Sequence, residues 1–86
     1  MPYHVYILRN PDDRIYIGQT QDLQRRLFQH NDPQDHLTQH TKKYSGPWEL
    51  IHSEAFPSRS EAMRRERQLK GGQGRKWIRT EILTHL

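Results

Sequence analysis

Cysteine is absent from the 86 residues, which excludes disulfide staples and cysteine-ligated zinc and is compatible with a reducing compartment. No apolar run approaches the length of a membrane span or a secretory signal, so the expectation is a soluble, cytoplasmic protein with no membrane partner. Internal repeats and low-complexity tracts are also lacking, and a chain of this length provides for one domain, 1–86, with a modest core. Acidic residues run short in one region only. Met1 to Pro57 holds six Lys and Arg against seven Asp and Glu, whereas Ser58 to Leu86 holds eight against three. The formal net charge of +4 therefore belongs to the C-terminal third, where it either solubilises a helix or suits a polyanion such as nucleic acid.

What is present reads as alternating short elements. Tyr3 to Leu8 is a near-continuous apolar run, as in a strand covered on both faces, and is the expected central strand. Asn10-Pro11-Asp12-Asp13 supplies turn chemistry, and Ile15 to Gly18 has the β-branched and aromatic make-up of a returning strand, giving an antiparallel hairpin. Its register decides whether Tyr6 and Tyr16 share a face: direct pairing puts both phenols on one side, and a slip of one residue separates them. Thr20 and Asp22 carry side-chain oxygens suited to opening a helix that Leu23 and Leu27 continue to about His30. Asn31 to Pro47 is expected to be a long loop. Trp48 to Phe56 has strand composition, and Ser58-Arg59-Ser60-Glu61 fits a capping box before a helix that runs to about Lys70. Gly71-Gly72-Gln73-Gly74 breaks it, and Arg75 to Leu86 reads as a terminal helix docked through Trp77, Ile78 and Ile82. The fold class is α+β, a three-stranded antiparallel sheet flanked by helices in the order β-β-α-β-α-α.

Two places carry candidate chemistry. In the first helix Arg26 and His30 stand four apart, within a turn of Leu23 and Leu27, so a guanidinium and an imidazole share a face close to the inward one. In the second helix the least polar stripe is Ala62, Met63, Glu66 and Leu69, which sets the Glu66 carboxylate on the inward-packing face. A buried carboxylate must be paired, protonated, metal-bound or at the lip of a cleft. His36 and His40 are spaced for one helix face and, with His30, resemble a metal set that lacks a completing Cys or carboxylate. Thr41-Lys42-Lys43-Tyr44 is better suited to a phosphate or a stacked base, and Trp48 to the core.

In these residues the sequence resembles the GIY-YIG nuclease superfamily, in particular its small single-domain branch related to the N-terminal nuclease domain of the excision-repair protein UvrC. The resemblance runs from His4 to Leu83. The first signature tripeptide appears as His4-Val5-Tyr6, keeping only its Tyr, and the second as Tyr16-Ile17-Gly18, intact. Arg26 follows Gly18 by eight residues, where the family keeps its catalytic arginine, and His30 stands where several members have a histidine. The block Arg59-Ser60-Glu61-Ala62 through Arg65-Glu66-Arg67-Gln68-Leu69-Lys70-Gly71 is similar to the small branch's helix and sets Glu66 at the family's metal-binding glutamate. Many members have Lys directly after the second tripeptide; this chain has Gln19.

The resemblance implies a metal-dependent endonuclease that hydrolyses phosphodiester bonds in DNA, single-stranded or branched. Tyr6 or Tyr16 would be the general base, Arg26 the phosphate clamp, His30 a proton relay or phosphate-orienting group, and Glu66 the ligand of one Mg²⁺ or Mn²⁺. Lys42, Lys43, Tyr44, Arg65, Lys70, Arg75 and Lys76 are the candidate nucleic-acid contacts. A non-catalytic nucleic-acid-binding module of the same fold is the alternative, and a partner-binding domain a third reading.

Overall fold

The fold is taken from a computed structural model that describes residues 2–32, 44 and 46–86. Strand β1 (Tyr3–Arg9) and strand β2 (Ile15–Thr20) form a hairpin, helix α1 (Leu23–Asn31) follows, and β3 (Glu49–Phe56) returns to the sheet. Helix α2 (Arg59–Lys70) and helix α3 (Gly72–Trp77) come next, continued by a π-helical turn at Ile78–Ile82 and a 3₁₀ turn at Leu83–His85. The sheet is antiparallel throughout, in the order β2-β1-β3, so the apolar run at Tyr3 to Leu8 is the central strand.

Alternation along β1 divides the core in two. Val5 and Ile7 point to one face, where they pack with Ile17 against Ala62 and Leu69 of α2 and Ile78 beyond α3. Tyr6 and Leu8 point to the other, where they pack with Trp48, Tyr16 and the α1 residues Leu23 and Leu27. Ile7 and Leu8 are wholly buried, as a strand covered on both sides requires. Trp48 belongs to the core, and β3 begins one residue after it.

The hairpin turn is built by Asn10, whose Oδ1 accepts from Asp12 N at 3.1 Å and Arg14 N at 2.7 Å. Asp13 takes a left-handed backbone (φ 62°), a conformation Asp tolerates better than bulkier residues. The resulting register corrects both pairings considered above: Tyr6 lies opposite Gly18, and Tyr16 opposite Leu8. This offset is two residues, and two residues restore the same side of the pleat, so both phenols face α1.

Helix starts follow their caps. Asp22 accepts from Arg25 N at 3.1 Å at the head of α1. Ser58 Oγ accepts from Glu61 N at 3.3 Å at the head of α2, while the Glu61 carboxylate accepts from the Ser58 hydroxyl, not from its N–H. At the other end of α1, Asn31 holds the start of β3: its Oδ1 accepts from Trp48 N at 2.6 Å and its Nδ2 donates to Trp48 O at 3.0 Å. The terminal helix begins at Gly72, three residues before the expected Arg75. Gly74 explains the composition of that turn, because a Cβ there would fall 2.5 Å from Leu69 Cα and also strike Gln68 O. Only a bare backbone lets α3 turn back so tightly on the end of α2.

Candidate active site

The face under α1 brings three aromatic rings together. Tyr6 Oη and His30 Nε2 are hydrogen-bonded at 2.8 Å, and both residues are buried. The Tyr16 and His30 rings are 4.7 Å apart between centroids, and those of Tyr6 and Tyr16 are 6.1 Å apart. The β1–β2 hairpin supplies the tyrosines at diagonal positions and α1 supplies the imidazole from its last turn. Gly18 is the space that permits this: a Cβ there would sit 2.7 Å from Tyr6 Oη and 3.0 Å from Tyr16 Cε1. A side chain on the second tripeptide's last residue is therefore incompatible with the Tyr6 ring as it lies.

Electrostatics draws two more of the expected residues to the same phenol. Burial is the largest effect on Tyr6 and pushes its phenol well above the ordinary tyrosine range. The neighbouring Tyr16, by its field and a hydrogen bond, and more weakly the Glu66 carboxylate act in the same direction, while the Arg26 guanidinium pulls the other way. Arg26 comes from α1 and Glu66 from α2, on the opposite face of the sheet, and each has a small electrostatic effect on the Tyr6 hydroxyl, in opposite directions. Since β2 is the sheet edge and α2 packs over β1 and β2, a carboxylate on the flank of α2 can act at that edge.

Glu66 lies at the lip, not in the dry core. Its side chain is 20 % exposed, flanking the buried Ala62 and Leu69, and Lys70 Nζ donates to its Oε2 at 2.6 Å. Among the described residues no side chain donates to Oε1. A single half-sheltered carboxylate fits a hard, oxygen-seeking divalent cation whose other positions are filled by water and phosphate. Among the described residues no group of three or more His, Cys, Asp or Glu is arranged to hold a metal.

Two hollows adjoin β2 on either side of Gly18. The larger, about 810 Å³, is lined by Tyr16, Ile17 and Tyr44 and by the cations Arg14, Lys70, Arg75 and Arg79. The smaller, about 530 Å³, lies at Gln19 and Thr20 and is lined by Arg25, Arg26 and Arg59. The edge strand is thus bordered by guanidinium and ammonium groups at both ends. Of the expected nucleic-acid contacts, Tyr44, Lys70 and Arg75 belong to the larger hollow, with the Arg14 guanidinium 4.2 Å from the centre of the Tyr44 ring.

Arg65 does not join them. Its Nε and Nη2 donate to the two oxygens of Glu54 on β3 at 2.9 and 3.0 Å, a bidentate pair that His52 completes at 2.8 Å, with the Trp77 ring 4.9 Å from the guanidinium carbon. Arg65 ties β3 to α2 because Glu54 lies opposite Val5 in the register and so faces α2. Lys76 is exposed and lines neither hollow. Lys42 and Lys43, like His36 and His40, lie outside the described residues. Sequence reasoning missed Arg14, Arg79, Arg25 and Arg59. Arg75 and Arg79 stand four apart, a helical-face spacing that was legible, whereas the place of Arg14 follows only from the hairpin turn.

Comparison with known proteins agrees with this geometry. The model of the GIY-YIG catalytic domain matches residues 2–79. A UPF0213 protein of Halobacterium salinarum is 41% identical over 68 residues, 79% of this chain and 84% of its own. One from Streptococcus agalactiae is 40% identical over 73 residues, 81% of this chain and 76% of its own. The solution NMR structure of a UPF0213 protein from Bacillus halodurans superposes with a TM-score of 0.55 at 33% identity, covering 93% of this chain and 84% of that one. Together with the two tripeptides, the arginine and the glutamate around one sheet edge, these matches establish that the chain belongs to the GIY-YIG family.

Proposed function

We propose that the protein is a metal-dependent endonuclease that hydrolyses phosphodiester bonds in DNA, acting in the cytoplasm in DNA repair or processing. The observation that carries the reading is the buried hydrogen bond between Tyr6 Oη and His30 Nε2 beside the Tyr16 ring, with cations lining both hollows at the β2 edge. Family membership supports a nuclease-type fold, and the cation-lined hollows along β2 support a polyanionic substrate. Among the described residues no helix is long and apolar enough to cross a membrane.

The chemistry requires charge to be stabilised on the phosphoryl oxygens and a proton to be removed from the attacking water. Arg26, permanently charged and forked, clamps the phosphate and stabilises its added charge. Tyr6 is the proton acceptor for the water. Burial opposes a free phenolate, so Tyr6 acts by passing its own proton to His30 Nε2 along the 2.8 Å hydrogen bond as it accepts the water's proton. Tyr16, half-buried beside the larger hollow, orients the substrate strand and holds the Tyr6 ring. Glu66 is the residue that would hold one Mg²⁺ or Mn²⁺, which when bound supplies Lewis-acid stabilisation of the developing negative charge. The remaining cations contact backbone phosphates and confer affinity with little base specificity.

The test is cleavage of labelled single-stranded and flapped DNA by the purified protein with Mg²⁺ or Mn²⁺. Cleavage is expected, is lost on chelation, and is abolished in Glu66→Ala and Arg26→Ala while circular dichroism stays native. Near-normal rates in either variant overturn the mechanism. Salt-dependent DNA binding by the native chain without turnover would instead mark it as a binding module.

A further inference from the structure

Glu66 and Lys70 are four apart on α2, and two features separate them from an ordinary ion pair on a helix surface. The Glu66 side chain is 20 % exposed against 50 % for Lys70, so the carboxylate is sheltered while the ammonium stands over open solvent. Lys70 also lines the larger hollow with Tyr16, Arg75 and Arg79. Its backbone is pinned, since Lys70 O accepts from Arg75 Nε at 3.2 Å at the point where α2 gives way to α3. Its side chain, with a flexible four-carbon stem, has no such constraint. One ammonium group thus has two places for its charge, on Glu66 or among the guanidinium groups of the hollow.

Which place it takes depends on what is bound. Repulsion from Arg75 and Arg79 favours the Glu66 position, where the ammonium is found at 2.6 Å. A phosphate in the hollow supplies an anion there and draws Lys70 toward it. A divalent cation at Glu66 repels Lys70 toward the same hollow. Each ligand moves the ammonium in the direction that helps the other bind, and such coupling is reciprocal. Resting on the reading of Glu66 as the cation ligand, we propose that Lys70 is an exchangeable latch: it occupies Glu66 until cation and substrate phosphate arrive, and it couples the binding of the two. The coupling is consequential because, among the described residues, no larger cluster of His, Cys, Asp or Glu surrounds Glu66 to hold the cation without it.

A pair that served only the helix would leave cation affinity unaltered on removal, or weaken it through fraying. The experiment titrates Mn²⁺, followed by electron paramagnetic resonance of the free ion, into the native protein, Lys70→Met, Lys70→Arg and Glu66→Gln. Each is measured with and without a phosphorothioate oligonucleotide that resists hydrolysis, and circular dichroism checks the fold. Lys70→Met is expected to bind Mn²⁺ alone about two- to five-fold tighter, the worth of an exposed ion pair. The oligonucleotide then tightens Mn²⁺ in the native protein but less in Lys70→Met, and Lys70→Arg behaves as native. Unchanged or weaker Mn²⁺ binding in Lys70→Met, with binding lost in Glu66→Gln, overturns the latch and leaves the cation ligand standing. Mn²⁺ affinity that survives Glu66→Gln overturns the ligand assignment and the latch with it.

Discussion

The two faces of the sheet are built from alternate residues of the same strands, yet they differ in kind. The face under α2 has an aliphatic centre of Val5, Ile7, Ile17, Ala62, Leu69 and Ile78, with the Arg65, Glu54 and His52 network at its β3 margin. The face under α1 buries Tyr6 and His30, hydrogen-bonded to one another, and admits Tyr16, while the larger hollow lies at the β2 edge between the two faces. A dry apolar layer stabilises in proportion to the area it removes from water. A buried phenol and imidazole give up hydration and recover only part of it through one another. In so small a domain, one face supplies the stability that lets the other hold polar groups in an arrangement fit for chemistry.

That contrast can be broken by substitutions on either side. The largest effect is expected on the α1 face, where Arg26→Ala lowers the cleavage rate by about 10³-fold or more, while urea unfolding shifts by no more than about 0.5 kcal/mol because Arg26 is half-exposed. Comparable loss of rate and stability together would mean that the faces are not separate in function. Leu69→Ala on the other face is the mirror experiment. It should cost about 2–5 kcal/mol in urea unfolding, with the rate per folded molecule unchanged at a temperature where the variant is still native.

Gly18→Ala sharpens the comparison at the edge between the faces. Its Cβ meets the Tyr6 ring, so destabilisation of about 1–3 kcal/mol is expected, together with a loss of cleavage of about 10²-fold as Tyr6 is displaced. Retained cleavage would place the reacting atoms away from Tyr6. The smallest effect belongs to the β3 side. Burial pushes Glu54 up, but hydrogen bonds from Arg65 and His52 and their charges outweigh it and hold the carboxyl below the ordinary range. Its contribution is therefore complete above the usual carboxylate value, about 4.3, and is lost as pH falls through the depressed folded value. Arg65→Gln should lose roughly 1–2 kcal/mol at pH 7 in urea unfolding, and the gap from the native protein should narrow in acid. A gap that does not narrow as pH falls from about 5 to about 3 would show that the pair is not what Arg65 contributes.

Sequence patterns reached most of the fold. The unbroken apolar run of β1 identified a strand covered on both sides, and the oxygens of Asp22 and Ser58 marked where helices begin. The hairpin offset did not follow from the turn residues, because the side chain of Asn10 and the left-handed Asp13 set it together. The destination of Arg65 was hidden for a different reason. A helical arginine looks alike whether it faces a phosphate or a carboxylate, and here Glu54, eleven residues earlier, claims it.

By itself the sequence determined the elements, their order, and the short inventory of groups able to handle a proton, a phosphate and a cation, because these depend on local periodicity, capping and residue chemistry. Only the tertiary structure decided which of those groups meet. Tyr6, Gly18 and His30 become neighbours through strand pairing and helix docking, and Arg26 and Glu66 lie on helices that cover opposite faces of the sheet. Charges and hydrogen bonds act through space, and distance in space is set by the packed core, not by distance along the chain.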